Sequence, residues 1–339
     1  MDSPAYTKIH TPLSIGSLCV PNRVFTAPVA GISDSAYRSI VRSFGCGLCW
    51  SELIMARGIT EKNEKTFDLL KIDSADRPIV VQLGGGEPSF FAQAARTARG
   101  YGADAIDINC GCPVPKMVKR GYGVGLMKEP DTIAAIVESV KKAVDIPVTV
   151  KIRAGFSREH PDAVTVAKQA EQAGADAITV HGRYRDDFFR GHSNWDVIAE
   201  VKKAVSIPVI GNGDITTAQD AYDMIAHTGC DAVMAGRSTF GRPWLIREIL
   251  NGSEPDHSVS LLLETIGRHA QLLMDVHGEH QGCLKLRTIL MYYTKGIKHI
   301  KALRPEIIKI ETAADFQSIR DAIERLCSGD TGAHSGTRP

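Results

Sequence analysis

The sequence predicts an α/β protein, a (β/α)₈ TIM barrel followed by a small all-helical C-terminal domain. Two observations predict the barrel: eight short apolar runs bounded by turn residues, and two phrases that recur along the chain. The loss of strand-like runs after Leu250 predicts the helical domain. The runs are continuously apolar rather than alternating, which is typical of parallel strands covered on both faces.

The predicted strands, with helical patterns in most gaps between them, occupy the first 250 residues. The strands are Val24–Ala27, Leu48–Leu53, Ile79–Leu83, Ala105–Asn109, Val148–Ile152, Ala177–His181, Val209–Gly211 and Ala232–Ala235. The helical patterns are Pro88–Tyr101, Pro130–Val144, Ala163–Ala173, Asn194–Val205 and Thr217–Thr228. Eight such units match a closed barrel. A doubly wound open sheet would usually carry a glycine-rich first turn, which is missing here.

The recurring phrases support repeated βα modules. Gly-Ala-Asp-Ala-Ile begins at Gly102 and Gly174, and Gly-Cys-Asp-Ala-Val begins at Gly229. Lys-Lys-Ala-Val, followed closely by Ile-Pro-Val, begins at Lys141 and again at Lys202. Each copy reads as a helix end, a tight turn and a short strand.

The C-terminal part has a different character. Asn251–Pro255 reads as a linker, and the helical patterns after it are Leu261–His277, Cys283–Gly296 and Ala313–Leu326. We therefore predict a barrel domain over residues 1–250 and a helical domain over 256–327. The Gly-, Ser- and Thr-rich residues 328–339 are predicted to be a disordered tail.

Composition bears on the cellular compartment and the possible partners of the protein. The 339 residues are 43% apolar, with no run apolar enough to span a bilayer. The first twelve residues lack the features of a secretory signal. The eight scattered cysteines suit a reducing cytoplasm. Because the formal net charge is only +1, a nucleic-acid partner would have to be bound by a local basic patch.

Polar residues follow or end six of the predicted strands, where barrel enzymes carry their chemistry. They are Gln82, Asn109, Cys112, Lys151, Arg153, His181, Asn212, Asp214 and Arg237. Lys151 lies inside an apolar strand and so needs an anionic partner, either a structural one such as Asp107 or a functional one. We favour a functional role, as a Schiff base or as a cation beside a bound cofactor. His181 ends its predicted strand, although one histidine alone could equally be a neutral structural residue.

Two glycine-containing loops predict a phosphate site. Gly211-Asn212-Gly213-Asp214 follows the seventh strand, and Gly236-Arg237 follows the eighth. Glycine lets the backbone approach a ligand, and backbone amides with an arginine suit a phosphate. Barrels often bind phosphate at these two loops, so we expect a phosphorylated ligand or cofactor.

Cys112 is the candidate reactive thiol. It follows a strand, and the cations Lys116, Lys119 and Arg120 come soon after it, which favours a thiolate or a proton donor. We interpret Cys46 and Cys49, a lone Cys-x-x-Cys, as core packing, and no metal site is predicted. The other cysteines, Cys19, Cys110, Cys230, Cys283 and Cys327, are predicted to be structural.

These pieces together resemble the tRNA-dihydrouridine synthase family over most of the chain. The matching segments, in order, are Pro28–Asp34, Ser51–Leu53, Val81–Gly85, Asp107–Pro113, Lys116–Val118, Gly121–Met127, Lys151–Arg153, His181–Arg183, Gly211–Asp214, Gly236–Arg237 and Gly241–Trp244. Each motif alone is weak, but the ordered set is specific. The resemblance implies FMN in the barrel mouth, bound by Pro28, Val29, Ala30, Gln82, Lys151, His181, Asn212, Gly213, Asp214, Gly236 and Arg237.

The resemblance also implies the reaction. NADPH reduces FMN, a uridine of tRNA swings out of its stack into the mouth, and hydride passes from flavin N5 to uracil C6. Cys112 donates a proton to C5, while His181 and Asn109 orient the base. The helical domain would hold the tRNA through basic residues, with an ordinary solvated face as the alternative. These residues are Lys285, Arg287, Lys295, Lys298, Lys301 and Arg304.

The sequence departs from the family at two places. Tyr184, Asp187 and Phe189 stand where the family usually has Thr, Gln and Tyr. Thr288 and Ile289 replace a usual Lys-His pair in the helical domain. The departures concern expected RNA contacts rather than the flavin set.

Three alternatives remain open at this point. The first is an FMN barrel oxidoreductase acting on a small pyrimidine, similar to dihydroorotate or dihydropyrimidine dehydrogenases. The second is a flavin-free barrel that binds a sugar phosphate with Lys151 as the Schiff-base residue, and the third is an RNA-binding protein without catalysis. The uridine position, the preference for NADPH over NADH and the oligomeric state stay open, with a monomer favoured.

Overall fold

A computed structural model describes residues 3–160, 162–188 and 190–328. Eight parallel strands close into a barrel in the order β10-β3-β4-β5-β6-β7-β8-β9, which confirms the predicted fold class. The strands of the chain are β1 Leu13–Ile15, β2 Leu18–Val20, β3 Val24–Thr26, β4 Leu48–Met55, β5 Ile79–Gly84, β6 Ala105–Cys110, β7 Val148–Gly155, β8 Ala177–Tyr184, β9 Val209–Asn212 and β10 Ala232–Ala235.

The hairpin β1–β2 was not predicted. Its antiparallel strands have three residues each, too short for a sequence pattern, and Ser14 and Cys19 face solvent. Its other side chains, including Leu13 and Ile15, join a buried cluster with the first inward residues of the barrel strands, such as Leu48 and Ala105. The hairpin therefore covers the amino-terminal end of the barrel and leaves the carboxyl end open for a site.

The recurring Gly-Ala-Asp phrase, with its Gly-Cys-Asp copy at Gly229, has a structural role. Each of its aspartates accepts a hydrogen bond from the first backbone amide of the preceding strand, at 2.7–2.8 Å. The pairs are Asp104 with Ile79, Asp176 with Val148, and Asp231 with Val209. Each carboxylate also pairs with a nearby cation, namely Arg77, Lys141 and Lys202 in turn. The repeat thus fixes the register of neighbouring strands at the amino-terminal end of the barrel.

The helices that surround the barrel bury one apolar face. Helix α5 shows the spacing, because Phe91, Ala94, Ala95 and Ala98 are buried and follow a helical period. The helices before the C-terminal region are α1 Pro4–Ile9, α2 Ser35–Ser43, α3 Ala56–Thr60, α4 Glu64–Asp68, α5 Pro88–Gly100, α6 Pro115–Val118, α7 Pro130–Lys141, α8 Ala163–Gln172, α9 Trp195–Ala204, α10 Ala218–Thr228 and α11 Leu245–Asn251. Short 3₁₀ turns occupy Ser74–Asp76, Gly123–Lys128 and Arg237–Thr239.

The chain divides into two compact units. Unit 1 comprises the residues up to Thr239 together with Trp244–Pro255, and unit 2 comprises Phe240–Pro243 and the residues from Asp256 onward. Unit 2 contains α12 Val259–His277, α13 Glu279–Tyr293, a 3₁₀ turn Ile300–Ala302, α14 Arg304–Ile307 and α15 Ala313–Ser328. This confirms the helical C-terminal region.

The ends of the chain bear on two further expectations. Residues 329–339 of the predicted tail lie outside the described residues, and Ser328 is the last residue of α15. Within the described ranges, no helix has the length and apolar character needed to cross a membrane.

Candidate active site

The inward-facing side chains of the barrel change from apolar to polar towards the carboxyl ends of the strands. Val80, Ala105, Ala177 and Ile210 belong to the buried apolar cluster. Two or four residues further along, on the same face of their strands, stand Gln82, Asn109, His181 and Asn212. Strand register brings Asn109 beside Lys151, and His181 beside Asn212. These four polar side chains and Lys151 therefore lie at the same end of the barrel.

Two strands end three residues later than predicted. β7 continues to Gly155 and β8 to Tyr184, with a register shift between the Arg153 and Gly155 pairings. The prediction that His181 ends its strand is therefore wrong. The two strands continue to pair after this shift, and Arg153 and Arg183 are buried within them. Charged residues at these positions therefore do not end the strands.

A chain of amide hydrogen bonds connects the barrel interior to the Cys112 loop. Gln82 Nε2 donates to Asp107 at 2.7 Å, and Gln82 Oε1 accepts from Asn109 Nδ2 at 2.8 Å. Asn109 Oδ1 then accepts from the backbone amide of Cys112 at 3.0 Å. Thr149 donates to the other oxygen of Asp107 at 2.5 Å. The amide orientations of Gln82 and Asn109 are thereby fixed by a buried carboxylate.

Lys151 contacts Asn212 rather than a carboxylate. Its Nζ donates to Asn212 Oδ1 at 2.9 Å, and Asn212 Nδ2 donates to the carbonyl oxygen of Met234 at 2.8 Å. Burial lowers the pKa of Lys151 to about 8, against the attraction of Asp107, which favours the ammonium form. Burial raises the pKa of Asp107 to about 6, although Gln82, Thr149 and Lys151 act to lower it. A desolvated ammonium group at the mouth is suited to receive an anion.

His181 is surrounded by cations. Burial lowers its pKa well below the ordinary value, and Lys151, Arg153, Arg183 and Arg237 lower it further. Its Nε2 lies 3.2 Å from the guanidinium of Arg183, which can only donate, so Nε2 accepts and the proton of the neutral ring is on Nδ1. His181 is therefore a neutral hydrogen-bond donor through Nδ1.

Arg183 is itself held by backbone and carboxylate acceptors. It donates to Asp214 at 2.5 Å and to the carbonyl oxygen of Gly191 at 3.0 Å. Asp214, whose φ is +58°, also accepts from the backbone amide of Ser193 at 2.6 Å. These contacts fix the loop after β9 against β8.

The Cys112 loop is held from two further sides. Arg153 donates to the carbonyl oxygen of Gly111 at 2.9 Å and to the carbonyl oxygens of Tyr184 and Phe188. Val124 donates to the carbonyl oxygen of Cys112 at 3.1 Å. The thiol residue is half-buried. Burial lowers the pKa of Arg153 to about 10, while Cys112 and Asp187 act to raise it.

The loops predicted to bind phosphate are adjacent. Gly213 has a φ of +123°, and a Cβ there would lie 2.3 Å from Ser193 Oγ and 3.1 Å from His181. A Cβ on Gly236 would meet only Ala27, at 3.7 Å. Pro28, Val29 and Ala30 follow directly after Ala27, whose amide donates to Ala235 at 2.9 Å. Arg237 is exposed.

These residues fit an anionic flavin nucleotide. A buried ammonium group, an arginine and glycine backbone converge at one barrel end, and Gly213 leaves no space for a side chain of its own. Gln82, which the flavin set includes, is buried, and its amide is used by Asp107 and Asn109. Only the second hydrogen of Gln82 Nε2 is therefore available for the predicted hydrogen bond to the flavin.

Asp107 and Arg183 have roles in the site that the sequence analysis did not predict. From the sequence, Asp107 is a possible ion-pair partner of Lys151 and part of a motif, and Arg183 is part of a motif alone. Alternate residues of a strand lie on the same face, so Asp107 shares the inward face of β6 with Asn109. That alternation could have predicted its place in the site. The role of Arg183 depends on contacts with residues 190–214 that no local pattern encodes.

The predicted RNA-contacting cations differ in exposure. Lys116, Lys119 and Arg120 are exposed, as are Lys295, Lys298, Lys301 and Arg304. Arg287, in contrast, donates to the carbonyl oxygen of Ile310 and pairs with Glu311, so it supports unit 2 itself. Lys285 is half-buried.

The departures from the family motifs have distinct local roles. Tyr184 is buried and Asp187 pairs with Arg158, while Phe189 lies outside the described residues. Ile289 packs in the core of unit 2, and Thr288 is exposed.

Comparison with known proteins identifies the family of the chain. A family model described as dihydrouridine synthase (Dus) matches residues 25–327. The tRNA-dihydrouridine synthase B of Pseudomonas aeruginosa is 37% identical over 328 residues, which cover 94% of this chain and 98% of the relative. The protein of the same name from Pasteurella multocida is 38% identical over 322 residues, 93% of each chain.

Solved structures with a similar fold have low sequence identity. A 2-naphthoyl-CoA reductase complex has a TM-score of 0.60 at 14% identity, covering 73% of this chain and 53% of that one. TcOYE with pHBA has a TM-score of 0.58 at 14% identity, covering 74% of this chain and 94% of that one. At these identities, the likeness supports the barrel fold alone.

Proposed function

Because the chain belongs to the dihydrouridine synthase family, we propose that it reduces specific uridines of tRNA to 5,6-dihydrouridine, with FMN as cofactor and NADPH as electron donor. The observation that carries the proposal is the position of Cys112. Its half-buried loop is fixed by Asn109 and Arg153 at the same mouth to which Lys151 and two glycine loops contribute. A proton donor and an anion site thus face one opening.

The chain's own residues would hold the cofactor as follows. Gly213, Asp214, Gly236 and Arg237 form the phosphate end, and Lys151 supplies the positive charge near the ring. Pro28, Val29, Ala30, Gln82, His181 and Asn212 complete the wall of the mouth. When bound and reduced by NADPH, FMN supplies the hydride for uracil C6.

Cys112 acts as a general acid that protonates uracil C5. The neutral His181 donates from Nδ1 to a uracil carbonyl oxygen and so orients the base. Asn109 acts chiefly through the loop, since its Oδ1 accepts from the Cys112 amide, and the second hydrogen of its Nδ2 remains for the base. The thiol therefore keeps one position relative to the barrel wall.

Each unit has exposed cations that would bind phosphates of the RNA partner. In unit 1 these are Lys116, Lys119 and Arg120, and in unit 2 they are Lys295, Lys298, Lys301 and Arg304. Binding to phosphates makes the affinity fall steeply as salt rises. The free thiols suit a reducing compartment, and we place the activity in the cytoplasm.

The test uses the purified full chain. The protein is expected to carry a yellow flavin released as FMN, to oxidise NADPH, and to form dihydrouridine in tRNA transcripts, detected by mass spectrometry and mapped by position. A colourless protein that takes up no FMN, or a flavoprotein that reduces free uracil or dihydroorotate but no tRNA, would overturn the proposal.

A further inference from the structure

A small cavity opens on the rim of unit 1, at the carboxyl ends of β4 and β5. Its volume is about 200 Å³, and its walls include Arg57, Glu87, Phe90, Arg120 and Tyr122. None of these residues belongs to the flavin set or carries the chemistry of Cys112. Sites for drug-sized ligands have volumes of about 300–1,000 Å³, so this cavity matches one flat heterocycle rather than a whole dinucleotide.

The cavity adjoins the Cys112 loop. Tyr122 precedes Gly123, where a Cβ would lie 2.9 Å from the Cβ of Cys112, and Val124 donates to the carbonyl oxygen of Cys112. The ring of Tyr122 in turn packs against the backbone of Gly86, where a Cβ would lie 2.8 Å from it. A group bound here is therefore a near neighbour of a group bound over the thiol.

The carboxylate of Glu87 retains hydrogen-bonding capacity. It accepts from the hydroxyl of Tyr122, at 3.1 and 3.3 Å, and from the backbone amide of Gly86 at 3.3 Å. A carboxylate has about four acceptor sites, so about two remain for a ligand. Glu87 makes no capping bond to helix α5, which leaves its side chain available to the cavity.

The other walls offer flat surfaces and an ion pair, since Arg57 donates to Glu61, a further wall residue, at 2.7 Å. Phe90 is half-buried, and the guanidinium of Arg57 lies 5.7 Å from the centre of its ring. Aromatic rings and arginine planes are the surfaces on which proteins stack unpaired RNA bases. Arg120 is exposed at the edge, where a phosphate would follow a bound base.

We propose that this cavity binds a guanine base of the substrate RNA, adjacent to the target uridine. Among the common RNA bases, guanine alone presents two neighbouring N–H donors, N1–H and N2–H, which match the two free acceptor positions of Glu87. Phe90 and Arg57 cover a face of the base. The inference rests on the proposed function for the identity of the RNA and adds a base-specific contact beside the reaction centre.

The test measures binding, independently of turnover. Flavin-loaded protein is titrated with five-nucleotide single-stranded RNAs that have a central uridine flanked by guanosine, inosine or adenosine, and fluorescence anisotropy gives each dissociation constant. The wild type is expected to bind the guanosine RNA about tenfold more tightly than the other two, the usual size of a bidentate base contact. Glu87→Gln should remove most of that preference.

Matched variants separate recognition from general effects. Glu64→Gln removes an exposed carboxylate outside the cavity and should leave the preference unchanged. Phe90→Leu should weaken binding of all three RNAs by similar factors, since stacking does not depend on base identity. Thermal melting of each variant checks that the fold is kept.

The outcomes distinguish this inference from the proposed function. Equal affinities for the three RNAs, or an unchanged preference in Glu87→Gln, would overturn the guanine site even if the same protein formed dihydrouridine in tRNA. If Glu87→Gln bound NADPH less tightly but kept the guanosine preference, the cavity would serve the electron donor, and the guanine site would also be overturned. A Glu87-dependent guanosine preference in a protein that modifies no tRNA would support the site and contradict the proposed function.

Discussion

The Oδ1 atom of Asn109 accepts a hydrogen bond from the backbone amide of Cys112, at 3.0 Å. The same side chain donates to Gln82, and Gln82 donates to the buried Asp107. Since the carboxylate only accepts, it fixes the direction of each amide along this chain. Asn109, three residues before Cys112, thus connects the thiol loop to hydrogen bonds inside the barrel, and these fix the position of the loop.

Removal of the Asn109 side chain should misplace the thiol without emptying the flavin site. We expect Asn109→Ala to lower kcat for dihydrouridine formation by about a hundredfold, because small displacements of reacting groups have costs of that order. Asn109→Asp keeps an acceptor for the Cys112 amide and should lose less. Single-turnover reoxidation of the reduced enzyme by tRNA measures both variants. Equal rates for Asn109→Ala and the wild type would show that the loop needs no such support.

Cys112→Ala should separate the two half-reactions. The variant is expected to keep bound FMN and NADPH oxidation, while dihydrouridine formation falls by about 10²–10⁴-fold, the range for loss of a general acid. Cys19→Ala, at an exposed position of the hairpin, is the matched control and should retain full activity. Product formation at the wild-type rate in Cys112→Ala would remove the thiol from the mechanism.

The sequence was enough to predict which polar residues lie at the mouth but not their mutual contacts. Continuous apolar runs predicted the eight barrel strands, and polar residues in their last parts, Lys151, His181 and Asn212, were the candidates for the site. The bond from Lys151 to Asn212 depends on a closed barrel that brings β7 and β9 to the same mouth, across β8. The Gln82–Asp107 bond similarly depends on the register of β5 and β6. Such contacts join distant parts of the chain, so no local pattern encodes them.

Gly213 should tolerate no side chain. Gly213→Ala combines a φ of +123° with a Cβ placed 2.3 Å from Ser193 Oγ. Gly102→Ala has a similar φ of +101° but open space around the Cβ, so it isolates the backbone effect. We expect Gly213→Ala to lower the free energy of unfolding by about 1–3 kcal/mol more than Gly102→Ala, the usual cost of overpacking. Chemical denaturation measures the difference, and FMN affinity should fall only in Gly213→Ala. Equal losses in the two variants would contradict the close approach at this loop.

The affinity for FMN should depend on pH through Lys151. Its pKa is lowered to about 8, so the ammonium form that would donate to the flavin ring is lost as pH rises through 8. Binding should therefore weaken between about pH 7 and 9 in the wild type. Lys151→Met should bind weakly at every pH, and Lys151→Arg should bind without this pH dependence, because arginine stays charged. Fluorescence titration of the apoprotein gives the constants. A wild-type affinity that stays constant to pH 10 would exclude Lys151 as the titrating group.

His181 should remain neutral well below pH 6.5. Burial and four surrounding cations lower its pKa, so below pH 6.5 the folded ring keeps only the Nδ1 proton, whereas the ring of the unfolded chain binds a second one. The unfolded state then binds more protons, and the stability linked to His181 is full above pH 6.5 and declines as pH falls below it. The difference in unfolding free energy between the wild type and His181→Gln should follow that trend. Nitrogen NMR shifts at pH 5.5 should report a neutral ring with its proton on Nδ1, since Nε2 accepts from Arg183. A titration midpoint near 6.5, or a proton on Nε2, would show that the cation cluster does not control this histidine.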